Sequence, residues 1–236
     1  MSEDKKKLSD FLMKITLALA PEFDSIRCDL VDFKKKHHYS SQNDRDAIEK
    51  LANKYGDSIV AKYTSVGVAT ALPGAIPGIG TLIQIGAETG AITTDLALMI
   101  RWMGSMCIGI ALLYDRDIES EFNQDFIKVL ALWCGVLTSL KVAGKRIGTK
   151  VAIAQFKRIP GKVFTKINQR VGTVIIAKYG TKRGGVAIGR LVPFGAGALI
   201  GGVFNYFTMN SFKMAAIGFY KEQPDADLYV DKDIVG

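Results

Sequence analysis

Between Lys62 and Glu88 the chain runs twenty-five residues without a charge, broken midway by Pro73-Gly74 and Pro77-Gly78. No regular helix passes through such a pair of prolines, because each lacks an amide hydrogen and clashes with the preceding turn. The spacing predicts an apolar helical hairpin over 62–114, with Pro73, Gly74, Pro77, Gly78 and Gly80 at its turn. A second uncharged run, 191–212, repeats the theme with Pro193, Gly195, Gly197 and Gly201 at its own turn. Its 22 residues are long enough to cross a bilayer. Its glycines and Pro193 make a simple span a poor reading, so a buried or re-entrant hairpin is expected. The two apolar segments should pack on each other as one paired core.

The rest of the chain reads as amphipathic helix. Leu8, Phe11, Leu12, Ile15 and Leu19 recur at spacings of three and four until Pro21, and Phe23, Ile26, Leu30 and Phe33 repeat the pattern within 22–43. Asn43-Asp44 offers N-cap chemistry to a helix through Ala47, Ile48, Leu51, Ala52 and Tyr55. A further helix is expected over 122–140, apolar at Phe126, Val129, Leu130, Trp133 and Leu137. Period-two alternation of β-branched residues is confined to 171–176. The expected fold is all-α, a bundle of amphipathic helices around two apolar hairpins broken by Pro and Gly. It divides into N-terminal amphipathic helices (1–43), a helical domain (44–221) whose basic part is 126–221, and a polar C-terminal tail (222–236).

The net charge of +8 conceals an asymmetry. Residues 126–221 hold sixteen Lys or Arg and no Asp or Glu, so the remainder carries 15 basic against 23 acidic side chains. Unopposed charge on that scale either folds back on the acidic half or meets a polyanion outside the molecule. The candidate polyanion-binding residues are Lys145, Arg146, Lys150, Lys157, Arg158, Lys162, Lys166, Arg170, Lys182 and Arg183. Four of them, Arg158, Lys162, Lys166 and Arg170, recur every fourth residue beside Ile159, Val163, Ile167 and Val171. A cationic stripe next to an apolar one is the pattern of a helix lying in a membrane interface, and equally of an ordinary surface helix.

Catalytic and cofactor chemistry is not legible. Cys28, Cys107 and Cys134 have no metal-ligand spacing, His37 and His38 are adjacent without a carboxylate or thiol nearby, and no metal or cofactor is expected. Gly195, Gly197 and Gly201 imitate a dinucleotide loop but lack a βαβ setting, and Gly144-Lys145 and Gly161-Lys162 are not followed by Ser or Thr. Glu88, Asp95 and Arg101 fall within the apolar hairpin and are candidate buried charges; Arg190 or Lys213 could answer the carboxylates, since Arg101 stands six residues beyond Asp95, about a third of a turn away from its face. The segment FLMKITLALA resembles a short signal sequence, but Lys14 interrupts it.

Residues 68–117, VATALPGAIPGIGTLIQIGAETGAITTDLALMIRWMGSMCIGIALLYDRD, together with 191–220, resemble the EcsC family. Pro73-Gly74, Asp95 and Tyr114-Asp115-Arg116-Asp117 match the first signature, although Asp115-Arg116 stands where Gly-Tyr is expected. Pro193, Gly197, Gly201, Asn205 and Tyr206 match the second, which adds Asn205 to the candidate buried polar groups. A similar pattern occurs in the helical domain beside some small bacterial GTPases. The EcsC resemblance, covering about 45–221, implies a bacterial, helical, membrane-linked protein and brings no catalytic residues.

The function expected is non-enzymatic: a cytoplasmic protein, peripheral to the inner face of the cell membrane, binding anionic lipid through its basic half. The alternative is a soluble module that binds a protein partner or an apolar ligand between helices. A nucleic-acid binder ranks third, because the basic residues interleave with aliphatic rather than aromatic side chains. A membrane-protein or transporter partner and homo-oligomerisation are left open.

Overall fold

A computed structural model describes residues 23–37, 44–69, 94–116, 118–139, 150–152, 165–167, 169–171, 174, 196–222 and 228–231. The fold is all-α. Its core is carried by α1 (Phe23–Lys36), α2 (Arg45–Ala69), α3 (Thr94–Leu113), α4 (Ile118–Trp133) and α5 (Ala196–Lys221). Three short strands, β1 (Leu137–Ser139), β2 (Lys150–Ala152) and β3 (Leu228–Asp231), form an antiparallel sheet in the order β1–β3–β2.

The sequence chemistry that starts and stops these helices is visible. Asp44 caps α2: its Oδ1 accepts hydrogen bonds from the amides of Asp46 (3.0 Å) and Ala47 (3.1 Å). α2 then runs unbroken through Gly56. α4 ends earlier than the apolar periodicity suggests, because Gly135 adopts φ +73° and turns the chain. The Gly135 amide bonds to the Leu132 carbonyl and the Val136 amide to that of Ala131, the paired closure of a glycine-terminated helix. Leu137, expected at the end of that helix, is buried on β1 instead.

α3 is the centre of the molecule and touches each of the other four helices. Ile100, Met103, Met106, Cys107, Ile108, Ile110 and Ala111 are all fully buried. A helix apolar on every side must be enclosed on every side. The second arm of the long apolar stretch is therefore a core helix, and it packs on α5 as expected of the paired segments. Gly109 permits the closest approach: a Cβ there would overlap the ring of Tyr55 on α2. An aromatic series, Phe23–Phe122–Phe126–Phe212–Trp133, links α1 through α4 to α5 with centroid separations of 5.4 to 6.4 Å.

Some elements lie where the sequence pattern alone did not place them. Val171 and Val174, within the one stretch that alternated like a strand, are helical; the sheet comes from short segments elsewhere. Residues 228–231 of the tail pair with strands of the basic part, Val230 opposite both Leu137 and Val151. Phe23, Ile26 and Leu30 of the N-terminal segment enter the same core as the 44–221 helices. The predicted helix of residues 1–20 and the Pro73–Gly80 turn lie outside the described residues.

Candidate functional site

α5 determines where charge goes. It begins with an uncharged run from Ala196, and its first charged residue is Lys213. Met209, Phe212, Ala216 and Tyr220, spaced three and four apart, form its inner face at 0 to 2% exposure. Lys213 lies beside that face and is itself only 6% exposed. Its aliphatic stem crosses Gly56, where a Cβ would stand 2.5 Å from the Lys213 Cγ. The ammonium emerges beyond that glycine to meet Asp57 at 2.6 Å. One helix end further on, Lys221 Nζ meets Glu49 Oε2 at 2.6 Å, and the carboxylate raises the lysine's pKa by hydrogen bonding.

A second polar group lies where α3, α4 and α5 meet, and it was not legible in the sequence. Asp125 is buried on α4 and is answered by Lys128 one turn on at 3.1 Å. The Lys128 ammonium also stands 5.9 Å from the ring centroid of Phe219. Burial raises the Cys107 thiol and the Tyr220 phenol well above their ordinary values, and the Asp125 charge adds to both. The Arg116 Nη2 donates to the Tyr220 carbonyl at 3.1 Å, tying the end of α3 to the last turn of α5. The one available sign was an Asp and a Lys three apart inside the apolar frame of Phe122, Phe126 and Val129. Among the described residues no group of three His, Cys, Asp or Glu side chains is placed to hold a metal ion.

The predicted site residues separate into three sets. Lys166 and Arg170 are exposed on helical turns, while Ile167 and Val171 beside them are fully buried in the protein core. Those two apolar side chains are spent on the fold, so they are not part of an outside surface, whereas Lys166 and Arg170 are. Lys150 lies on β2; Lys145, Arg146, Lys157, Arg158, Lys162, Lys182 and Arg183 lie outside the described residues. Arg101 is buried on α3, as expected of a charge inside the core, and desolvation lowers its pKa. Asp95 opens α3 and Asn205 is half-buried on α5. Lys213, a candidate partner for the hairpin carboxylates, pairs instead with Asp57 of α2. Gly197 and Gly201 lie within α5 rather than in a turn before it. Glu88, Arg190, Pro73, Gly74, Pro77, Gly78, Gly80, Pro193 and Gly195 lie outside the described residues.

The outer side of α5 is different in kind. Tyr206, Phe207 and Met214 are 48, 65 and 57% exposed. Among the described residues no helix is long and apolar enough to cross a membrane. No protein-family model matches the chain, and no curated protein or solved structure matches it.

Proposed function

We propose that this chain is a non-enzymatic peripheral protein of the EcsC type that binds anionic membrane surfaces reversibly through its basic C-terminal half. The observation that carries the reading is the run of 96 residues, 126–221, with sixteen cations and no carboxylate. Self-neutralisation accounts for part of that charge: Lys128, Lys213 and Lys221 are answered by Asp125, Asp57 and Glu49. Lys166 and Arg170 stay exposed. Each Lys or Arg near an anionic surface contributes roughly 1 kcal/mol, so about four acting together would supply a thousandfold preference for the surface. Screening over about 8 Å at physiological ionic strength makes such attachment salt-sensitive.

Vesicle flotation tests it. The full-length protein should rise with anionic vesicles at low salt, stay behind with neutral ones, and be released as salt increases. Protein that remains in the aqueous fraction with anionic vesicles at low salt sinks the reading.

A further inference from the structure

We infer that the outer face of α5, formed by Tyr206, Phe207 and Met214 with Trp133 alongside, is the part of the molecule that enters the apolar layer of an anionic membrane. The inference rests on the membrane reading above and assigns it a contact surface.

Phe207 and Met214 are seven residues apart, two helical turns, and so share one face of α5. Ser211 lies between them, and its Oγ accepts a hydrogen bond from the Trp133 Nε1 at 2.9 Å. That bond fixes the half-buried indole of α4 against the same stripe. Tyr206 and Phe207 pack edge to face at 5.7 Å, so the aromatic end of the stripe is braced rather than loose.

The stripe can meet lipid without burying a charge. Its intervening described side chains, Asn210 and Ser211, are neutral, and both lysines of α5 are held by acids of α2. It also lies in the segment that lacks any carboxylate, so nothing within 126–221 repels an anionic headgroup. Phenylalanine in the acyl boundary, tyrosine and tryptophan at headgroup level, and cations outside them are the order in which a membrane interface accepts side chains.

A second copy of the chain fits the stripe less well. Partly exposed as they are, the three side chains offer roughly 300 Å², against about 800 Å² per partner in a stable protein interface. A bilayer needs no complementary area. The inner face of α5 remains in the protein core, so entry is shallow.

The test uses the full chain with a Trp102→Phe background, leaving Trp133 as the only indole, and vesicles of mixed anionic and neutral lipid. Brominated acyl chains should quench Trp133 on binding. Phe207→Ser with Met214→Ser should lower vesicle partitioning at least tenfold while leaving its salt dependence in place. Far-ultraviolet circular dichroism checks that the variant is folded, and quenching in the unsubstituted stripe decides the matter independently of it. Failure of the parent protein to bind anionic vesicles removes the membrane reading and this inference together. Binding with no quenching, and with no loss in the double variant, overturns the inference alone. A concentration-dependent dimer in sedimentation that the double variant abolishes, with vesicle binding unchanged, would assign the stripe to a second copy instead.

Discussion

Lys213 Nζ lies 2.6 Å from Asp57 Oδ1, and the two differ sharply in setting: counting side-chain atoms alone, the lysine is 8% exposed and the aspartate 62%. The bond joins α5 to α2, the pair of helices in most extensive contact, and its stem occupies the space that Gly56 leaves open. The lysine therefore depends on the aspartate more than the reverse.

Asp57→Asn removes the charge that compensates a nearly buried ammonium, whereas Lys213→Met keeps the packed stem and leaves the aspartate in water. The first substitution should cost about 1–2 kcal/mol, below the figure for a fully buried pair because water already screens Asp57. The second should cost less than about 1 kcal/mol. Urea denaturation of both variants measures the difference. Equal losses would show that the pair contributes as an ordinary surface bridge.

Glycine carries different weight at two sites that look alike in sequence. At Gly109 an added methyl would strike the ring of Tyr55, which is 5% exposed and has nowhere to move. Gly109→Ala should destabilise by about 1–3 kcal/mol. At Gly218 a Cβ meets nothing within 4 Å. Gly218→Ala should stabilise α5 by about 0.5–1 kcal/mol through the entropy of the unfolded chain. Thermal melts of the two variants should move in opposite directions.

The sequence made the local chemistry legible and left the long-range pairing hidden. Asp44 could be recognised as a cap because the side chain acts on amides two and three residues away. Phe23, Ile26 and Leu30 announced their burial by spacing alone. The apolar run ahead of Tyr114 announced a buried helix, though not that four others would enclose it. Lys213 with Asp57 spans 156 positions, and Lys221 with Glu49 spans 172. No periodicity encodes such pairings, since they depend on how whole helices stack. The strands were hidden for another reason. β1 and β2 are three residues each, too short for alternation to register, and exist because β3 pairs with both.

Asp115 occupies a conformation suited to glycine. Its φ is +56°, and the amides of Asp115 and Arg116 close the end of α3 on the carbonyls of Leu112 and Ala111, as Gly135 and Val136 do for α4. A Cβ in this region carries a steric cost that aspartate tolerates only in part. Asp115→Gly should stabilise the protein by about 0.5–1 kcal/mol, read from the denaturation midpoint at unchanged slope. A loss would mean that the Asp115 carboxylate contributes more at this corner than its backbone costs.

Alkaline pH should unfold the protein through its buried tyrosines. Burial raises the phenol of Tyr114 from 10.0 to about 12, and raises Tyr55 and Tyr220 as well, with Asp29 adding to the first of these and Cys107 and Asp125 to the second. The Cys107 thiol shifts the same way. A group whose pKa is higher in the folded state contributes stability that is complete below its unfolded value and disappears as pH rises toward the folded one. Stability should therefore be flat to about pH 8, begin to fall as the unfolded thiol ionises, and fall further through about pH 10–12, as the unfolded chain releases protons that the folded one retains. Tyr220→Phe separates this cause from general alkaline damage. The Tyr220 Oη is buried and has no hydrogen-bond partner among the described residues, so its removal should change stability at neutral pH by less than about 1 kcal/mol. The same variant should unfold at higher pH than the parent, because one proton fewer is released on unfolding. Circular dichroism followed together with tyrosinate absorbance would show both effects. An unchanged alkaline midpoint in Tyr220→Phe would place the transition on the other buried groups.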